Sequence, residues 1–175
     1  MKPVTVFLEE LKSSLPKSSY EQRKKLAIFS IENNIDLKEL SELIKCEKEI
    51  ATKFMWLLSD FAILSPNKLF AELPYLLSLC NTFKQEYKIY FASYWLYVGV
   101  PSENEGEAID LLFQFIVSPK TNVTVKSRSV LVLFNLTKKY PELKNELRYS
   151  LKGQLNKYSK DFDKRVAKIL MLIDE

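Results

Sequence analysis

The sequence predicts an all-α fold, an array of about five helical hairpins wound into a right-handed superhelix. Three observations predict it. Apolar residues recur at helical spacing along the whole chain. Glycine is nearly absent, with only Gly99, Gly106 and Gly153 among 175 residues. Tight β-hairpins and phosphate-cradling loops lean on glycine for positive φ, so both are disfavoured. The helical pattern also returns at a period near 38 residues. The length fits one domain over residues 1–175, with 1–64 a divergent N-terminal part and 65–175 carrying the clearest repeats.

Ten helices follow from periodicity and stop signals. Val4, Phe7, Leu8, Leu11 and Leu15 share one face of the first, which Pro16 ends. Ser18 or Ser19 caps the second, with Leu26, Phe29 and Ile28 inward, and Asn33-Asn34 stops it. Asp36 caps a third, carrying the stripe Leu37, Leu40, Leu43 and Ile44. The fourth runs from about Glu47 to Leu64 with Ile50, Phe54, Leu57, Phe61 and Leu64 inward, before the reset at Ser65-Pro66. The fifth, about Asn67 to Asn81, contains Pro74, which predicts a kink. The sixth, about Phe83 to Val98, is apolar on nearly every side and ends at Gly99-Val100-Pro101.

Ser102 begins the seventh helix, with Ile109, Leu112, Phe113 and Ile116 inward and Ser118-Pro119 as its stop. The eighth spans about Val123 to Tyr140. Pro141 sits where a ninth helix would place its first residue, and Leu143, Leu147, Leu151 and Leu155 follow at four-residue spacing. The tenth carries Val166, Ile169, Leu170 and Ile173. Runs such as VTVKSRSVLVLF have strand propensity, but no hairpin turn chemistry flanks them.

The repeat emerges when the even-numbered helices are aligned. Trp56-Leu57, Trp95-Leu96, Leu133-Phe134 and Leu172-Ile173 fall at offsets of 39, 38 and 39. Leu73, Leu112 and Leu151 in the odd-numbered helices are each 39 apart. Two helices per unit at this period is the mark of an α-solenoid, whose hairpins bury their apolar faces by stacking. The motif Leu73-Pro74-Tyr75-Leu76-Leu77 resembles the L-P-x-L-L of HEAT-repeat first helices. Asn122-Val123-Thr124-Val125-Lys126 and Asp161-Phe162-Asp163-Lys164-Arg165 resemble the family's D-x-x-V-R at the entry to the second helix. The likeness covers about Ser65 to Ile173 and implies an armadillo-type fold acting as a binding or scaffold module.

The tail from Pro141 to Leu170 is also similar to that of small bacterial HEAT-like proteins that often carry the label adenylosuccinate lyase. The lyases themselves have a mobile Ser-rich loop and a catalytic His. This chain has no histidine and no such loop, so that activity is not expected.

The lack of histidine removes imidazole bases, Ser-His and Cys-His pairs, and imidazole metal ligands. Cys46 and Cys80 form no C-x-x-C pair and read as core thiols in a reducing compartment, with a disulfide left open. The longest apolar patch, Tyr90 to Val100, is far short of the roughly 20 residues that span a bilayer. A cytoplasmic protein without catalytic residues, cofactor, metal or membrane contact is expected, its oligomeric state open.

Charge is uneven. Residues 1–98 carry 13 basic and 12 acidic side chains, residues 99–119 four acidic and none basic, and residues 120–175 13 basic and six acidic. Glu103, Glu105, Glu107 and Asp110 fit the positive end of a helix better than a carboxylate site. The cations Lys126, Arg128, Lys144, Arg148, Lys152, Lys164, Arg165 and Lys168 are the candidate partner-binding residues. A protein partner is expected; the alternative is nucleic acid, as implied by a distant likeness to HEAT-like DNA glycosylases, with salt-sensitive binding. Tyr87, Tyr90, Tyr94 and Tyr97 form a candidate aromatic surface, and Trp56 and Trp95 candidate stacking platforms against a core role. Residues 33–61 also suggest a helix-turn-helix, but the turn lacks glycine and the second helix is too apolar for a groove of DNA.

Overall fold

A computed structural model describes residues 4–174. The chain is all-helical, 82% in helix, with ten α-helices and no strand among the described residues. It falls into two compact units, Met1–Pro101 and Ser102–Glu175.

The first unit holds α1 (Val4–Ser14), α2 (Tyr20–Glu32), α3 (Leu37–Leu40), α4 (Lys48–Leu64), α5 (Pro66–Phe83) and α6 (Phe91–Val98). Pro16 sits in a 3-10 turn, Leu15–Lys17, that closes α1. Ser19 and Gln22 form a reciprocal capping box at the start of α2. Asn34 ends that helix in the left-handed region at φ 51°. The Asp36 carboxylate accepts from the Lys38 N–H at 2.9 Å and caps α3.

Two expected helices change type. The third is α-helical only to Leu40 and continues as a 3-10 segment, Ser41–Lys45. Leu37, Leu40 and Leu43 are spaced by three, the 3-10 period, and all are buried together with Ile44. The sixth is a 3-10 segment over Gln85–Tyr90 before α6 proper. Gly99, at φ +90°, then stops α6 in a conformation that a side chain would strain. The fifth helix runs through Pro74, which has no N–H to offer the Phe70 carbonyl one turn earlier.

Helix α4 is the hub of this unit and packs on α2, α5 and α6. Phe54, Leu57 and Phe61 are buried as its stripe predicts, while Ile50 is half-buried and Leu64 exposed. Phe91 meets Tyr94 and Trp95 with ring centroids 5.3 and 5.4 Å apart. The Tyr94 hydroxyl donates to the Met55 carbonyl at 2.6 Å, fastening α6 to α4.

The second unit holds α7 (Glu105–Val117), α8 (Val123–Leu136), α9 (Leu143–Lys152) and α10 (Lys160–Asp174). Asn122 caps α8 through the Val125 N–H at 3.0 Å. Pro141 precedes α9 in a turn whose Lys144 N–H donates back to its carbonyl at 3.1 Å. Leu155 lies past the end of α9 and is half-buried. The core is shared by α7, α8, α9 and α10 and includes Leu112, Ile116, Leu133, Leu147, Leu151, Val166 and Ile169.

Candidate functional site

The C-terminal cations separate into two sets. Lys126, expected on the partner surface, is fully buried. Its ammonium donates to the carbonyls of Phe115 at 3.2 Å, Ile116 at 2.5 Å and Ser118 at 2.6 Å. It also lies 5.0 Å from the centre of the Tyr158 ring. A lysine has three N–H donors, and the last carbonyls of α7 have no intrahelical partner, so the two needs match. The positive charge also faces the negative end of the helix dipole. Lys126 therefore leaves the set of partner-binding candidates.

Lys144 and Arg148 on α9 are also spent largely within the unit. Lys144 reaches the Ile173 carbonyl at 3.5 Å. Arg148 bonds Asp174 through Nε at 2.8 Å and Nη2 at 2.6 Å, and Nη1 donates to Asn145 at 2.7 Å. Both side chains tie α9 to the last turn of α10. Arg128 is half-buried on α8.

The remaining candidates, Lys152, Lys164, Arg165 and Lys168, are exposed. No carboxylate pairs with any of them among the described residues. Their position on α10 follows from its core stripe. Phe162, Val166, Ile169 and Ile173 turn inward at spacings of three and four, which leaves Lys160, Lys164, Arg165 and Lys168 outward. Met171, 70% exposed, continues this face, and Tyr149 on α9 is 83% exposed. Residue composition offers no reason to single out either one.

The acidic residues around the start of α7 have local partners. Glu105 accepts from Lys139 Nζ at 2.7 and 2.8 Å and from the Tyr140 hydroxyl, joining the start of α7 to the end of α8. The Lys139 and Tyr140 hydrogen bonds hold its carboxyl below the usual range, and the same bond to Glu105 raises Lys139. No group of three or more His, Cys, Asp or Glu could hold a metal ion among the described residues.

The tyrosine row does not form one surface. Tyr87 and Tyr94 are buried, Tyr90 is half-buried and Tyr97 is exposed. Tyr87 donates to the Lys48 carbonyl at 3.2 Å, so both buried hydroxyls are used on α4 or its first residue. Burial raises the Tyr94 hydroxyl well above its ordinary pKa, and burial likewise raises Tyr90. The tryptophans also part. Trp95 is buried, and its indole N–H finds no acceptor among the described residues. Trp56 is 39% exposed, with Lys53 Nζ 4.9 Å and Arg23 Cζ 5.7 Å from its ring centre.

Both cysteines are free thiols. Burial pushes Cys80 up to about 12, which keeps it protonated and inert at neutral pH. No described helix is long and apolar enough to cross a membrane. No family model, curated protein or solved structure matches the chain.

Proposed function

We propose that this chain is a non-catalytic binding module of the HEAT-like α-solenoid type, and that the exposed cations of α9 and α10 engage an acidic surface of a protein partner. The observation that carries this reading is the set Lys152, Lys164, Arg165 and Lys168, exposed and without a carboxylate partner among the described residues. Unpaired surface cations do little for stability but steer encounter with an acidic partner.

Stacked repeats are supported by two bonds within the first unit. Tyr87 reaches the Lys48 carbonyl and Tyr94 the Met55 carbonyl, each across 39 residues, the period found in the sequence. Side-by-side placement of equivalent residues is what stacked helical hairpins require. A protein partner is favoured over nucleic acid because the outward face is mixed. Asp161 interrupts its cations and Met171 extends it, with Tyr149 exposed on α9. Tyr, Met and Arg are enriched in protein interfaces.

The test is capture of partners from native lysate by the wild-type chain and by K164E/R165E/K168E. The reading requires an acidic protein to be retained by the first and lost by the second, with unchanged helical circular dichroism. Anisotropy titration with duplex DNA at two salt concentrations runs beside it. Tight binding that falls steeply with salt and needs the same three cations would move the assignment to nucleic acid.

A further inference from the structure

Helix α10 has two opposite faces, and the outer one is ordered along its length. Phe162, Val166, Ile169 and Ile173 form the core stripe. On the far side lie Lys160, Lys164, Ala167, Lys168 and Met171, all exposed. At 3.6 residues per turn these five positions fall within about 100° of arc. The three cations therefore stand in one row, each about 6 Å along the axis from the next at 1.5 Å per residue. Ala167 lies within the row, and Met171, 70% exposed, ends it.

The row is not neutralised from within the unit. None of its three lysines meets a carboxylate within ion-pair distance among the described residues. Of the acids on α10, Asp163 accepts from the Asn156 N–H at 3.1 Å, and Asp174 pairs with Arg148 at 2.6 Å. Asp161 stands at the edge of the row. A second helix with carboxylates at i, i+4 and i+8 repeats the same axial step and complements it. An apolar residue one turn beyond would rest on Met171, and Ala167, with no side chain past Cβ, lets the two backbones approach. A phosphate backbone offers the same charge but nothing apolar to Ala167 and Met171. An extended acidic strand would bring unpaired backbone N–H groups to a row of ammonium donors, whereas a helix arrives with its own satisfied.

We propose that the outward face of α10 docks an acidic amphipathic helix of a protein partner. Its carboxylates stand in register with Lys160, Lys164 and Lys168, and an apolar side chain covers Met171. This rests on the reading that the basic face meets an acidic protein, and adds the form of the contact. Net charge steers the encounter, and the row fixes the register.

The experiment is an anisotropy titration of the full chain with a fluorescein-labelled helical peptide. The peptide carries Glu at i, i+4 and i+8 and a Leu one turn beyond each end, so that it docks in either direction. A second peptide of the same composition places its Glu at i, i+2 and i+5, scattered around the helix. Wild type should bind the first roughly tenfold more tightly than the second. Met171→Ser leaves the charge unchanged and should weaken the first peptide roughly fivefold. K160E/K164E/K168E should lose it and gain a peptide with Lys in place of Glu, a reversal that a misfolded variant could not show. Equal binding of the two Glu peptides, no binding of the first, or an unchanged affinity in Met171→Ser overturns the proposal. Displacement of the first peptide by single-stranded DNA at lower concentration would assign the row to phosphate and overturn it as well. Equal binding of the two Glu peptides leaves the acidic-partner reading intact, whereas that reading stands or falls on the lysate capture whatever the peptides do.

Discussion

Each unit buries a cation, and the two solve the same problem differently. In the first, Arg23 of α2 is 9% exposed and pairs with Asp60 of α4, 5% exposed, at 3.0 Å. Its guanidinium also lies over the Tyr20 and Trp56 rings, 5.2 and 5.7 Å from their centres. In the second, Lys126 meets no carboxylate and donates to three backbone carbonyls at the end of α7. A planar guanidinium suits a carboxylate and aromatic faces, whereas a compact ammonium suits a ring of carbonyls. The pair in the first unit depends on two side chains 37 residues apart. The cage in the second needs one lysine and a helix end that exists anyway. Loss of a partner should therefore hurt the first unit more sharply.

The largest effect is expected from Asp60→Ala, which strands the Arg23 charge in the core. It should destabilise the chain by about 3–5 kcal/mol, measured from the urea unfolding midpoint. A loss near zero would show that the aromatic faces alone can hold Arg23. Lys126→Met keeps the length and removes the donors, leaving the α7 carbonyls without their partner. A loss of about 2–3 kcal/mol is expected by the same measurement. If this variant proved the more damaging of the two, the contrast between pair and cage would be reversed.

Tyr94→Phe deletes one buried hydroxyl and the tie it makes from α6 to α4, while the Met55 carbonyl keeps its place in the α4 ladder; it should cost about 1 kcal/mol. Smaller still is the latch between α7 and α8. Because the folded Glu105 carboxyl titrates below its ordinary value of 4.5, its contribution is present at neutral pH. That contribution disappears as the pH falls through the depressed folded value. Unfolding midpoints followed from neutral to acid pH should thus converge for wild type and Glu105→Gln, with the wild type the more stable only at the upper end. At the bottom of the scale, Lys168→Ala removes an exposed cation without a partner and should shift stability by no more than about 0.5 kcal/mol. A larger loss would mean that α10's outward face is structural rather than free for binding.

Helices with long apolar stripes were legible as elements, although Phe29 and Leu64, expected inward, are exposed and Ile50 is half-buried. The start of α4, the caps Ser19 and Asp36, and the stops at Pro16 and Gly99 all follow from local chemistry. The 3-10 segments were not, because spacings of three occur in both helix types and neighbours decide between them. The candidate site was legible only in part. Lys53, Lys68, Lys126 and Lys144 each reach a backbone carbonyl, while Lys152, Lys164 and Lys168 face solvent. Nothing about a lysine's own neighbours in sequence distinguishes these fates. Tyr87 and Tyr97 share a row in the sequence for the same reason and end on opposite sides of the surface.

By itself, the sequence determined that this chain is helical throughout and which face of most helices turns inward. Those properties rest on local periodicity, capping and scarce glycine, all of which act within a few residues. The tertiary structure alone decided which polar groups remain available. Burial depends on what another segment brings to a side chain, and the carbonyls around Lys126 and the carboxylate at Arg23 are products of that meeting. For a lysine, whose flexible stem reaches either a carbonyl or water, only the neighbouring backbone decides which one it finds.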